Sequence, residues 1–380
     1  EGRATFHSMV EVASLLENRS TTRTGIYAEE FTTGVRSEVT TSSAYFSDTL
    51  SVSDSVALTL SGRYDETRIR LTDLTGESPE LDGSHKYHRF NPAGGITFAP
   101  LSELTLYASY GESARAPSPV ELACASEDAP CNLPNAFLAD PPLEQVVAKS
   151  WEVGLRGTLR KDLRWHLGGF RTTNHDDIIF QTTGGALANV GFFSNVGDTR
   201  RTGIELSASQ KLSRLLWSVE YSLVKATFED SFIVNSPNHP IFEDDPAAPQ
   251  IVGPDKLLVS PGDRIPGIPE HQANLGLDFM ISDHFSIGGD VEIRSGIYYR
   301  GDEANLLDKI DGYTILNLRG QYQIGDHVTI FARIENVFDH DYETFGILGE
   351  PEEVFPDFHD PRFLGAGPPR GAWLGVRVKL

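Results

Sequence analysis

Few side chains in this sequence are grouped as a reactive centre requires. Cys124 and Cys131 are the only cysteines, with six residues between them and no histidine close to either. In an oxidising compartment such a pair closes a small disulfide loop, and without histidine it makes a poor metal site. His340 and His359 each precede an aspartate, Asp341 and Asp360, which invites a metal reading. Isolated His-Asp pairs in polar loops are usually just solvated, so no metal is expected. The sequence has no H-E-x-x-H, no G-x-S-x-G and no phosphate-cradling glycine loop between a strand and a helix, so neither an enzyme nor a cofactor is expected. Tyrosine, arginine and glutamate remain, at Tyr107, Arg115, Glu292, Arg294, Tyr298 and Arg300. Arginine and tyrosine on one rim can hold a chelate by charge and stacking. The bland alternative is that such residues are polar because they line water.

The elements that carry these residues alternate with a period of two. Leu215, Trp217, Val219, Tyr221 and Leu223 face one way, and Ser218, Glu220 and Ser222 the other. Phe285, Ile287, Gly289, Val291 and Ile293 are likewise opposed by Ser286, Asp290, Glu292 and Arg294. Helical patterning is scarce. With 21 Phe, 12 Tyr and 35 Gly against two Cys and two Met, the composition also leans toward an all-β chain. A net charge of −22 argues against a nucleic-acid partner, which needs a concentrated basic surface.

Thirteen strands are predicted at roughly 41–50, 55–69, 87–98, 103–113, 147–158, 163–173, 200–210, 215–228, 271–281, 284–296, 312–323, 328–338 and 371–380, with one or two weaker ones within 4–34. Their connections alternate strictly. Short ones at 51–54, 99–102, 160–162, 211–214, 282–283 and 325–327 interleave with long ones at 70–86, 114–146, 174–199, 229–270, 297–311 and 339–370. A transmembrane antiparallel β-barrel has short periplasmic turns and long extracellular loops, whereas a soluble sandwich has no reason to keep its long loops at one end. No run of 18 apolar residues occurs, which excludes a helical span and leaves a barrel open. Lipid demands closure, because every backbone polar group in hydrocarbon must be paired. About 14 strands either close alone or belong to a larger barrel. Loops as long as 229–270 are expected to carry function or to fold into a cap over the pore.

Several ordered passages resemble TonB-dependent outer-membrane receptors. Asn336-Val337-Phe338-Asp339-His340-Asp341-Tyr342 is similar to that family's N-[LV]-F-D-x-x-Y segment. Tyr110 to Pro117 with Glu121-Leu122 resembles Y-x-x-S-x-R-A-P…E-L, and Leu143-Glu144 with Trp151-Glu152-Val153-Gly154 resembles L-x-P-E…E-x-G. Asn195 to Leu206 and Ile265 to His271 resemble two further strand-opening patterns. These motifs are read as architectural marks: Gly154 and Gly203 can relieve crowding at a strand bend, and Arg115 can simply pair with a nearby carboxylate.

The resemblance implies a barrel of about 22 strands around an amino-terminal plug. It also implies import of a ferric siderophore or similar chelate, with energy supplied through the plug by TonB, ExbB and ExbD. Neither the plug, a TonB-box nor the first strands are found, so residues 1–380 are expected to be the later barrel strands, surrounded by outer-membrane lipid. The final strand ends on Leu380, where such barrels usually end in Phe or Trp. Cys124 and Cys131 then fall in an extracellular loop, where a disulfide is expected. Acidic loop residues such as Glu229, Asp230, Glu243 and Glu350 disfavour a strongly anionic ligand such as ferric citrate, although several motifs look closest to the ferric-citrate and siderophore branch. Two rivals remain: a passive porin of about 14 strands, and a soluble propeller or adhesin.

Overall fold

Strands form along nearly the whole chain. A computed structural model describes residues 2–15, 21–74, 76, 82–123, 131–132, 143–160, 162–184, 190–353 and 357–379; for most of 2–33 and for 131–132, 184 and 190 it describes the backbone alone. In chain order the strands are β1 (Gly2–Leu15), β2 (Thr21–Ser53), β3 (Val56–Asp73), β4 (Gly83–Leu101), β5 (Leu104–Arg115), β6 (Cys131–Asn132), β7 (Val146–Leu159), β8 (Leu163–His175), β9 (Ile178–Gly184), β10 (Val190–Asn195) and β11 (Thr199–Leu212). They continue with β12 (Leu215–Phe228), β13 (Phe232–Asn235), β14 (Ile251–Gly253), β15 (Lys256–Val259), β16 (His271–Met280), β17 (Phe285–Arg294), β18 (Tyr313–Ile324), β19 (Val328–Glu335), β20 (Glu343–Leu348), β21 (Arg362–Ala366) and β22 (Gly371–Val378). Two short helices, α1 (Pro119–Ala123) and α2 (Ile241–Asp244), lie in loops.

Fourteen of these strands form one antiparallel sheet in the order β1-β2-β3-β4-β5-β7-β8-β11-β12-β16-β17-β18-β19-β22. Each strand pairs with its chain neighbour across the short turns, where Arg160, Ser213 and Gly325 take the positive φ that tight hairpins require. No ladder joins β1 to β22 among the described residues.

The expected faces are present. In β12, β16 and β17 the directly opposed residues Trp217, Leu277 and Gly289 point one way, and Ser218, Gly276 and Asp290 the other. The apolar set is not sealed in a core: Leu277 is 51% exposed, Trp151 60% and Leu374 78%. Exposure of large apolar side chains on strand after strand fits a wall that faces lipid, and it removes the soluble propeller reading.

The strands outrun the sequence expectation at one place. β3 and β4 reach Asp73 and Gly83, so the predicted loop 70–86 shrinks to 74–82. Alternation continues there because Ile69 and Leu71, both buried, pack with Val35 against Leu122 and Ala123 of α1. An inward cover thus replaces water as the partner of that face. β1 and the upper half of β2 supply the weaker strands expected within 4–34.

Above the wall the long loops build their own small sheets, β6-β10-β9, β13-β15-β14 and β20-β21. Two further buried clusters hold them. One joins Val196, Phe228, Val234, Leu257, Val259 and Ala304, and the other Ile297, Tyr299, Ile310 and Leu348.

Candidate functional site at the outer mouth

The layer of loops encloses a cavity of about 470 Å³ where β8 leads into β9 and β11 begins. Phe180, Phe193 and Phe345 supply aromatic wall, and Asp177, Arg201, Arg300 and Glu303 supply charge. Strand parity explains Arg201: it shares the inward face of β11 with Gly203 and Glu205, opposite Ala226 of β12. The Asp177 carboxylate organises this corner. It accepts from the Asn174 amide at 3.2 Å, the Thr199 hydroxyl at 2.5 Å and the Ile178 backbone N–H at 3.1 Å, and it lies 3.6 Å from Arg201. Phe180 and Phe193 meet edge to face across the β9-β10 hairpin, with centroids 5.3 Å apart.

Arg300 and Glu303 come from the loop between β17 and β18. The Arg300 backbone is pinned by its N–H to the Gly346 carbonyl and by Leu348 N–H to its own carbonyl, while its exposed guanidinium makes no ion pair among the described residues. Glu303 accepts the Gly301 N–H through Oε1, but its buried Oε2 has no protein partner. Burial pushes this carboxyl above the ordinary glutamate range. The mouth therefore presents an unpaired guanidinium beside a carboxyl that resists ionising.

A buried polar bolt holds the cavity's walls in place. His239 and Asp302 are both buried, and His239 Nε2 lies 3.2 Å from Asp302 Oδ1. His239 Nδ1 accepts the Ile241 N–H, so Nε2 carries the proton and donates it to the carboxylate. Asp302 also accepts the N–H groups of Leu306 and Leu307, and the Ser236 hydroxyl donates to the Gly301 carbonyl. The β13-β15 region and the 297–310 loop are thereby one packed unit. Arg264 seals its rim by pairing with Glu270, which holds that carboxyl below the usual range.

The six sequence-selected residues do not gather in one place. Arg300 lines the cavity. Glu292 and Arg294 lie near the outer end of β17 but are committed to each other at 3.2 Å, to the Tyr313 hydroxyl and to Asn274. Tyr298 carries Lys309 Nζ 5.0 Å from its ring centroid. Arg115 pairs with Glu121, whose carboxylate also caps α1 at the Ser118 N–H. Tyr107 stands only a few residues beyond the short turn at 102–103, toward the opposite end of the barrel, and donates to Glu152 at 2.6 Å with His166 Nε2 at 2.7 Å. Counting from that turn would have shown its depth. Arg201 was legible from strand parity too, whereas nothing periodic marks Phe180, Phe193 or Glu303.

His359 and Asp360 face different partners. Glu352 holds His359 and raises its pKa above the usual range, and Arg362 holds Asp360. Cys124 lies outside the described residues, as does the side chain of Cys131. The Asn336 motif is a clasp. In the left-handed conformation, Asn336 donates to the His340 and Pro368 carbonyls and accepts the His340 N–H, while Asp339 accepts the Arg370 N–H. It ties the loop carrying β20 and β21 to the barrel.

Over residues 11–337 the chain matches the family described as TonB dependent receptor-like, beta-barrel. It belongs to this family of transport receptors, and it is an outer-membrane barrel chain. It is similar to the ferric-pyoverdine BN7/BN8 receptor of Pseudomonas putida, at 22% identity over 330 residues that cover 83% of this chain and 33% of that receptor. The solved siderophore receptor PiuA from Acinetobacter baumannii shares the fold with a TM-score of 0.66 at 17% identity, over 90% of this chain and 44% of PiuA. The ferric yersiniabactin uptake receptor FyuA from Yersinia pestis does so with a TM-score of 0.67 at 15% identity, over 99% and 49%. The chain thus spans a third to a half of the length of these relatives.

Proposed function

We propose that this chain is the later barrel portion of a receptor that captures a ferric siderophore or similar chelate at its outer mouth. The cavity carries the reading: an aromatic wall of Phe180, Phe193 and Phe345 beside the unpaired Arg300 suits a compact chelate with anionic and aromatic groups. Release inward is assigned to energy from TonB, ExbB and ExbD acting on a plug upstream of these strands. The lack of a ladder between β1 and β22 among the described residues and the partial coverage of the relatives support placing a plug and further strands there, toward a barrel of about 22. A passive porin would need a clear mouth, and the packed loops argue against it.

Growth of a deletion strain on a panel of ferric chelates under iron limitation tests the activity. Unchanged growth on every iron source would remove the assignment. For the chelate that does depend on the receptor, Arg300→Ala is expected to weaken binding about 10- to 100-fold, the scale of one lost charge-assisted hydrogen bond, with unaltered folding.

A further inference from the structure

The outer wall carries a cationic patch that the import reading does not use. On β3 and β4 the lipid-facing side ends in aromatics: Tyr64 opposes Phe90, and both are exposed. From Val56 to Tyr64 that face spans about 27 Å along the strand, or about 20 Å along the membrane normal at the usual tilt, close to the height of an apolar barrel band. Beyond the aromatics the same face turns basic. Arg68 opposes Lys86 directly, Arg70 follows two residues further on, and Arg36 of β2 opposes Thr72. The side is unambiguous, because Ile69 and Leu71 between the arginines are buried beneath α1 while Arg68 and Arg70 are exposed.

Arg68 and Lys86 therefore stand about 13 Å further along the strand than the aromatic level, or about 10 Å further from the bilayer centre. That is the depth of lipid headgroups. Glu66 bridges the two, at 2.9 Å from Arg68 and 3.1 Å from Lys86, and fixes their heads side by side. One carboxylate serves two cations there, and no ion pair engages Arg36 or Arg70 among the described residues, although Glu38 lies opposite Arg70. Among the described residues these four cations meet Glu38 and Glu66, with Asp82 just before β4 beside them, on a chain whose net charge is −22. On β18, β19 and β22 the outward positions nearest the mouth, Thr314, Ile334 and Ala372, carry no charge, whereas β8 and β12 place Arg171 and Lys225 outward, each opposite Thr202 of β11.

We infer that the outward patch of Arg36, Arg68, Arg70 and Lys86 on β2–β4 binds the phosphate groups of an outer-leaflet lipid, a phosphorylated glycolipid of the lipopolysaccharide type. Its acyl chains lie along Phe46, Leu60, Tyr64 and Phe90 below the cations. Each basic residue near a phosphate-bearing surface adds a modest attraction, and a fixed cluster adds several together. The site is separate from the mouth cavity and does not depend on which chelate the receptor takes.

The test is native mass spectrometry of the full receptor, released from nanodiscs, with bisphosphorylated lipid A, its dephosphorylated form and inorganic phosphate as competing probes. Wild-type protein is expected to retain the bisphosphorylated lipid about tenfold or more over the dephosphorylated one. The triple variant R68A/R70A/K86A is expected to lose that preference, and the charge-preserving R68K/R70K/K86R to keep most of it. Equal retention of the two lipids by the wild type overturns the site without reference to any variant, as does an unchanged preference in a correctly folded triple variant. Displacement of the lipid by millimolar inorganic phosphate would show a free-anion site and overturn the lipid assignment.

Discussion

The barrel wall and the loop layer above it are stabilised by opposite arrangements of the same residue types. In the wall, large apolar side chains such as Trp151, Leu277 and Leu374 lie open to the surroundings, and order comes from continuous backbone ladders. In the loop layer, Val234, Leu257 and Val259 are 0–2% exposed, and a buried His239–Asp302 hydrogen bond joins the same segments. One region is ordered for lipid and the other resembles a small soluble domain. The mouth can therefore be loosened without melting the barrel, which is what a binding site above a rigid pore requires.

Asp302→Ala should break that separation most visibly. It orphans the His239 Nε2–H and the N–H groups of Leu306 and Leu307, at about 1 to 3 kcal/mol each, for a local loss of at least about 3 kcal/mol. Hydrogen exchange should show protection lost across 232–259 and 297–310 with the β16–β18 ladders unchanged. Simultaneous loss in those ladders would mean that wall and loops form one cooperative unit.

A paired substitution sharpens the contrast within the wall. Leu277→Arg places a charge against lipid and is expected to cost about 2 to 4 kcal/mol, whereas Ser222→Arg, on the lumen face of the neighbouring β12 and opposite Glu205, should cost less than about 1 kcal/mol. Denaturant unfolding in detergent micelles or liposomes measures both. Equal costs would contradict the assignment of faces.

The smallest effect concerns pH. Burial raises the Glu303 carboxyl pKa, so the folded mouth holds its proton more tightly than the unfolded chain does. This group's contribution is then fully present at low pH and is lost as pH rises from the ordinary glutamate value through the raised one. Glu303→Gln should flatten this slope, leaving exchange protection at 297–310 similar at pH 4 and pH 8. A slope unchanged from the wild type would show that another group titrates there.

Much of the wall could be read without coordinates. Side chains alternate with period two on any strand, so Leu275, Leu277 and Phe279 announced their face, and turn lengths announced which end was which. The Asn336 motif forms a local clasp, because Asn is among the few residues that accept a left-handed backbone and satisfy neighbouring carbonyls at once. The candidate site was far less legible. Arg300 was selected by carrying the alternation of β17 past its end at Arg294, into a loop where the period no longer holds; Tyr107 lies toward the opposite end of the barrel, and Glu292 and Arg294 spend their charge on each other.

By itself the sequence determined the all-β class, the strand faces, the order of short and long connections and the lipid-facing wall, since these follow from local periodicity and nearest-neighbour pairing. Only the tertiary structure decided that the loops pack into a layer, that His239 meets Asp302 across 63 residues, and that Arg201, Arg300 and Glu303 share one cavity. Such contacts join distant segments with no repeating pattern, and their free energy appears only once the chain has brought them together.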